Sequence, residues 1–244
     1  MSILSMKTRI IMWGFSCINY YFTSTITNLT NDSELYYINP HHTQSMVFLY
    51  DSKSVSCMIT KCFVPFPTLE TERLILRFVE DTDVEHLYEI LSDAENAKLD
   101  YFHPLTSIEQ AQKFIDRFKK EIEANEEITW RIVLKESNTF IGTCCFGNFD
   151  DGASRVEIGY NFARAHWGNG YATEALSAII DYGFTSMNLN RIESTITPGN
   201  DASVEVLSKL NFVHEGIVRE RDLIKGKLED GIMMSILKRD YPSK

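Results

Sequence analysis

Arg164-Ala165-His166-Trp167-Gly168-Asn169-Gly170-Tyr171-Ala172-Thr173-Glu174-Ala175 stands between a strand-like run, Arg155–Phe162, and an amphipathic helical pattern that continues to about residue 187. Two glycines one residue apart at a helix start leave the first backbone N–H groups bare of side-chain cover, so an anion can approach them closely. Those N–H groups have no intrahelical partner and lie at the positive end of the helix dipole, which suits a diphosphate. A Gly-x-Gly alone is equally a plain turn between strand and helix. The neighbouring sequence decides between the two.

Two further segments follow the same logic. Leu69-Glu70-Thr71-Glu72-Arg73-Leu74-Ile75-Leu76-Arg77 reads as a first strand, with Leu74, Leu76 and Phe78 alternating. Pro198-Gly199-Asn200-Asp201-Ala202-Ser203, continuing to Lys209-Leu210-Asn211-Phe212, reads as a turn opening into a helix. In this order the three segments resemble the motifs of the GNAT superfamily of N-acetyltransferases, most nearly the ribosomal-protein-alanine N-acetyltransferase branch with its Trp-Gly-x-Gly-Tyr-x-Thr-Glu-Ala loop. The resemblance runs from about residue 67 to residue 241. It implies an α/β fold with a mixed, mostly antiparallel sheet flanked by helices and a cofactor cleft between splayed central strands. There are two departures. Ala165 stands where the wider superfamily has Gln or Arg, and Asn211 stands where it has glycine, which predicts a slightly different turn after that helix.

The resemblance also implies a site. The pantetheine arm of acetyl-CoA would pair with the backbone of Ile158, Gly159 and Tyr160. Trp167, Gly168, Asn169, Gly170, Tyr171, Ala172 and Thr173 would receive the diphosphate, and the Asn200 amide would face the cofactor. Ser203 would protonate the leaving thiolate. For the base that deprotonates the amine, Asp222 falls where the branch often has an acid, and Glu157, beside the pantetheine edge, is the rival. Plainer roles stand beside these: a strand glycine at a bulge for Gly159, a first-turn helix residue for Thr173, a helix cap for Asn200, a first-turn serine for Ser203, and surface charges for the two carboxylates. No metal is expected.

Composition narrows the function classes. Of the 244 residues 44% are hydrophobic and 24% charged, ordinary for a globular protein, and the net charge of −10 disfavours broad nucleic-acid binding. Cys17, Cys57, Cys62, Cys144 and Cys145 show neither metal-ligand spacing nor a disulfide framework, which predicts buried thiols in a cytoplasmic protein. Cys144 and Cys145 would point to opposite faces of a strand.

The first 65 residues carry seven charges, Lys7, Arg9, Asp32, Glu34, Asp51, Lys53 and Lys61, and no sustained period of 2 or 3.6. They are expected to be a poorly structured extension, or to precede the true start at Met46 or Met58; a membrane-surface anchor is the third reading. An acetyltransferase domain is expected over 66–244. In it Asp81 is predicted to cap a helix bearing Val84, Leu87, Ile90 and Leu91, and Ser107 with Gln110 to form a capping box for a second. The element order predicted is β-α-α-β-β-β-α-β-α-β-β, with late strands near 212–218 and 231–237.

The function implied is acetyl transfer from acetyl-CoA to a primary amine, most nearly a protein N-terminus of the ribosomal-protein kind. A small amine such as a polyamine, amino acid or antibiotic is the alternative acceptor, and a non-catalytic acyl-CoA sensor the alternative class. The partners expected are the amine and neither nucleic acid nor membrane. The loop motif does not separate the two acceptors, because it sees only the cofactor, and a homodimer is left open.

Overall fold

The structure, a computed structural model, describes residues 59–241 apart from Cys62 and Leu99. The expectations for the segment before Ile59, and for Cys17, Cys57 and Cys62, lie outside the described residues. In chain order the elements are β1 (Leu69–Glu70), β2 (Leu74–Arg77), α1 (Val84–Ser92), α2 (Ala94–Ala97), α3 (Ile108–Ala124), β3 (Ile128–Leu134), β4 (Phe140–Asp150), β5 (Arg155–Phe162), α4 (Tyr171–Thr185), β6 (Arg191–Ile196), α5 (Asp201–Lys209), β7 (Val213–Ile224) and β8 (Lys227–Leu237).

The strands form one sheet in the order β1-β2-β3-β4-β5-β6-β8-β7. Every neighbouring pair is antiparallel except β5 and β6, which run parallel with α4 as their crossover. The mixed, mostly antiparallel architecture expected from the sequence is therefore present. Ile128 to Val133 of β3 are buried at consecutive positions, so helices cover the strand on both faces. One apolar cluster joins the sheet to Ala175, Leu176, Ile179, Ile180 and Phe184 of α4 and Leu207 of α5. A second gathers Leu87, Ile90 and Leu91 of α1 with Ala111, Ile115 and Phe118 of α3. Trp130 is wholly buried, and its indole N–H donates to the Pro67 carbonyl at 2.7 Å.

Several expectations are corrected by non-local pairing. The Leu69–Arg77 segment is not one strand: it bends at Thr71–Arg73 into a hairpin with Leu69 opposite Leu76. Asp81 does not cap α1. A 3₁₀ turn over Asp81–Asp83 precedes the helix, boxed by reciprocal bonds between Glu80 and Asp83. Gln110 reaches back to the Thr106 amide, at 2.7 Å, rather than to Ser107. The short α2, capped by Asp93, was not anticipated. The late strands are longer than expected, because β7 and β8 pair along a hairpin that extends to the turn after Ile224. Asn211 sits at φ 64°, the left-handed region that glycine favours and asparagine tolerates, so this departure keeps a glycine-like turn.

The packed core also begins earlier than residue 66. Ile59 and Phe63 are buried within the main cluster, and the Thr60 amide donates to Met187 O at 2.9 Å. A chain starting at Met58 keeps both side chains and is expected to melt with the full chain. A chain starting at Pro67 loses both, and Phe63→Ala alone is expected to cost about 3–5 kcal/mol. Scanning calorimetry of the three proteins checks the boundary; a Pro67 start that melts with the full chain refutes it.

Candidate active site

The parallel ladder between β5 and β6 is short. Arg155, Val156 and Glu157 pair with Arg191, Ile192 and Glu193, and pairing stops there. Beyond it Ile158 to Phe162 remain paired to β4 on one side only, while Ser194 to Ile196 pair with β8. The two central strands thus part at Glu157/Glu193, and Ile158, Gly159 and Tyr160 present an open backbone edge to the gap. A Cβ at Gly159 would lie 3.0 Å from Cys145 Sγ, so the glycine accommodates the neighbouring thiol. The Tyr160 hydroxyl donates across the gap to Ser203 O at 3.4 Å. Burial pushes that phenol up to about 12, so it stays a neutral donor.

The loop that follows β5 leads into α4. Gly168 and Gly170 take φ 75° and 78°, the left-handed conformation for which glycine carries no Cβ penalty. Gly170 is the N-cap of α4, with no side chain capping the first turn. The loop is held from behind. The Glu174 carboxylate accepts from Thr71 Oγ1 at 2.6 Å, from the Arg73 amide at 2.8 Å and from Arg73 Nε at 2.6 Å. Arg73 Nη1 donates to Asn169 O at 3.1 Å, and the guanidinium lies 4.5 Å from the Tyr171 ring centre. Burial raises the Glu174 pKa, but the Thr71 and Arg73 donors outweigh it and hold the carboxyl below its usual value.

A cleft of about 680 Å³ opens in front of this loop. Trp167, Gly168, Gly170, Tyr171, Ala172 and Thr173 line one wall, and Ala202, Glu205, Val206 and Lys209 of α5 the other. Asn169 faces Arg73 through its carbonyl instead. At the head of α5 the Asn200 side chain accepts from the Ser203 amide at 3.2 Å. Asn200 is therefore the cap, and the Ser203 hydroxyl is not the group that caps the helix.

The Acetyltransferase (GNAT) domain family matches residues 73–213, which contain the loop, the split and the head of α5. The chain belongs to the GNAT acetyltransferase family. It is 42% identical over 174 residues to the protein described as "Uncharacterized N-acetyltransferase p20" of Bacillus licheniformis, covering 71% of this chain and 98% of that one. It is 28% identical to the [Ribosomal protein uS5]-alanine N-acetyltransferase of Escherichia coli, over 73% of this chain and 94% of that one. Among solved structures it is similar to Mycobacterium smegmatis RimJ in complex with CoA-disulfide, with TM-score 0.65 and 26% identity over 73% of this chain and 90% of that one.

This acetyltransferase carries its two candidate bases on different strands, β5 and β7. Glu157 is the last residue of β5 paired to β6 and accepts from Asn148 Nδ2 at 2.8 Å. Asp222 stands on β7 with the Arg221 guanidinium 3.2 Å away. Both carboxylates act on Tyr101: burial, then the Asp222 and Glu157 charges, push its phenol up to about 12. Nearby, burial raises the Asp100 carboxyl, which accepts from the Tyr101 amide at 2.8 Å and from Asn161 Nδ2 at 3.2 Å. Tyr101 and Asp100 carry no motif and were missed in the sequence. So was the Thr71/Arg73 clamp, although both residues lie in the first-strand motif.

Cys144 and Cys145 alternate as expected on β4, one buried and one half-buried, and burial raises both thiols so that neither ionises near neutrality. Among the described residues no group of three or more His, Cys, Asp or Glu could hold a metal ion, and no helix is long and apolar enough to cross a membrane.

Acetyl-CoA is expected to protect the native fold against heat, by about 2.7 kcal/mol at a hundredfold excess over its dissociation constant. Gly170→Val forces a β-branched residue to φ 78° and covers the bare amides, so that protection should vanish. A full shift in the variant excludes the loop as the diphosphate site. Glu174→Gln is expected to lose roughly 1.5–3 kcal/mol, the usual range for hydrogen bonds to a charged group. Because the native pKa of Glu174 lies below its ordinary 4.5, its contribution is complete above that pH and is lost as pH falls below it. Melting curves of both proteins from pH 7 to pH 3 should therefore converge at the acid end.

Proposed function

We propose that the protein transfers the acetyl group of acetyl-CoA to the N-terminal amine of a protein, of the ribosomal-protein kind. The observation that carries this reading is the cleft in front of the uncapped α4, continuous along the chain with the open edge of β5. The diphosphate would lie on the amides from Trp167 to Thr173, with the Asn200 amide nitrogen and Lys209 as further donors from α5. The pantetheine arm would add to β5 along Ile158, Gly159 and Tyr160, as a peptide adds to a sheet edge. The thioester then stands where the strands part, between α5 and the carboxylates of Glu157 and Asp222.

The chemistry follows from that placement. Glu157 or Asp222, directly or through water, removes a proton from the incoming ammonium. The free amine attacks the thioester carbonyl, a C–N bond forms, and the C–S bond breaks as the tetrahedral intermediate collapses. The Ser203 hydroxyl supplies the proton that the departing thiolate takes up, and the serine is restored by the second proton, which the attacking nitrogen gives up, directly or through water, as it becomes the neutral amide. The protein acceptor is supported by the likeness to the Escherichia coli ribosomal-protein enzyme. A small polycationic amine is the second reading, supported by Asp100, Glu157 and Asp222, which draw three carboxylates to the acceptor side.

Thiol release with peptides beginning in alanine and with spermidine separates the two acceptors. The primary reading expects the peptide to have the higher kcat/KM; preference for spermidine establishes the second, and release with neither overturns both. Ser203→Ala should lower kcat by about a hundredfold with little change in the KM for acetyl-CoA. Since Asn200 keeps the cap, its melting temperature should not move. Unchanged turnover removes Ser203 from the mechanism.

A further inference from the structure

Lys225 holds together two parts of the chain that lie 128 residues apart. With Gly226 it forms the two-residue turn of the β7–β8 hairpin, between the facing Ile224 and Lys227, and the two turn residues have φ 50° and 83°. Such a turn favours asparagine followed by glycine, so the turn itself does not account for a lysine at its first position. The Lys225 ammonium donates to Ala97 O and, at 3.1 Å, to Lys98 O, where α2 ends. Carbonyls at a helix C-terminus are short of intrahelical donors, and a lysine is a suitable partner for them. The Asp100 amide shares Ala97 O, at 3.2 Å.

This tie lies at the mouth of the split. β6 ends its pairing with β8 at Ile196, opposite Ile232, so Lys227 to Gly231 of β8 run on past the end of β6. On the other side of the split β5 also runs on without β6, from Ile158 to Phe162. The hairpin turn and the free end of β5 therefore project in the same direction, with the opening between them. The chain that leaves α2 spans that opening. Ala97 and Lys98 are held by the hairpin turn, while Asp100 accepts from Asn161 Nδ2 of β5 at 3.2 Å. Tyr101 comes next, and the charges of Asp222 on β7 and Glu157 on β5 both act on its phenol. At 54% exposure the ring is too open to serve the core.

We propose that Lys225 is a positioning residue for the acceptor: by tying the end of α2 to the hairpin turn it holds Tyr101 across the opening, where the ring contacts the incoming amine. This rests on the acetyl-CoA reading of the β5 edge and goes beyond it by naming the residues that meet the acceptor. An exposed aromatic ring in the company of Asp100, Glu157 and Asp222 suits a cationic group, which rings and carboxylates both attract. The tie touches nothing in the diphosphate loop, so acetyl-CoA binding should not depend on it.

Lys225→Asn tests this, because it removes the ammonium and leaves an Asn-Gly pair, which the hairpin turn accommodates well. Hydrogen exchange should quicken at the Asp100 and Tyr101 amides and stay as it was in α4. With whichever amine releases thiol, the KM for the amine should rise about tenfold, the equivalent of one lost hydrogen bond to a charged group, while kcat and the KM for acetyl-CoA change little. Tyr101→Ala should raise the same KM, and adding Lys225→Asn to it should raise it no further, because the lysine acts through the tyrosine. Unchanged exchange in Lys225→Asn overturns the tie. Quickened exchange with an unmoved amine KM overturns its role for the acceptor. Two KM effects that multiply refute the route through Tyr101, and the proposal with it. If no amine releases thiol at all, the acetyl-transfer reading falls first and takes this proposal with it.

Discussion

One carboxylate sets the geometry on which the site depends. Glu174 lies in the first turn of α4, yet its oxygens are satisfied by Thr71 and Arg73, from the turn between β1 and β2. A carboxylate near a helix N-terminus commonly bonds the helix's own amides. Here it is turned away, towards a hairpin about a hundred residues earlier in the chain. The first turn is consequently left without a side-chain cap, and the bare amides face the cleft. Arg73 completes the arrangement by binding the Asn169 carbonyl from behind, which fixes the loop between the two left-handed glycines. The anion site is thus made as much by what holds Glu174 away as by the glycines.

The second constraint is the end of the β5–β6 ladder. Two parallel strands that separate after three paired residues leave backbone groups without partners, and such groups are costly unless water or a ligand meets them. Arg155 and Arg191 brace the paired end by both donating to Glu193, which is buried where the strands diverge. On the far side, Arg191 also binds Glu215 at 2.6 Å, and Glu215 accepts from Ser235 at 2.7 Å, tying β6 to both strands of the terminal hairpin. The split is open at one end because it is clamped at the other.

Much of this was legible because it is local. Glycine spacing, the strand before it and the 3.6-residue stripe of α4 lie within thirty residues of one another, and each carries its own signal. Most of the element order followed, and the Trp167–Thr173 loop singled out there contributes residues to the wall of a cleft. What could not be read is what depends on distant partners. Thr71 and Arg73 were visible as part of a strand motif, but nothing local says that they break the strand to grip Glu174. Ile59 and Phe63 look like stray apolar residues until Met187 and the main core are set beside them. The late strand expected near 212–218 runs on to Ile224 because pairing with β8 resumes at Asp222, beyond an irregularity that no local pattern announces. Tyr101 has no motif at all; the fold alone brings it to the two carboxylates.

The strand order has a consequence for synthesis. β8 lies between β6 and β7 in the sheet although it is the last strand in the chain. Until residues 227–237 leave the ribosome, β6 has no neighbour on that side, and Ile192, Ser194 and Ile196 have nothing to pair with there. A nascent chain in this condition holds an unpaired strand at the middle of its future sheet, the kind of edge that recruits other chains. Release of the final segment is therefore the event that seals the fold. A premature stop just after β7 would yield an aggregating product rather than a slightly shortened enzyme.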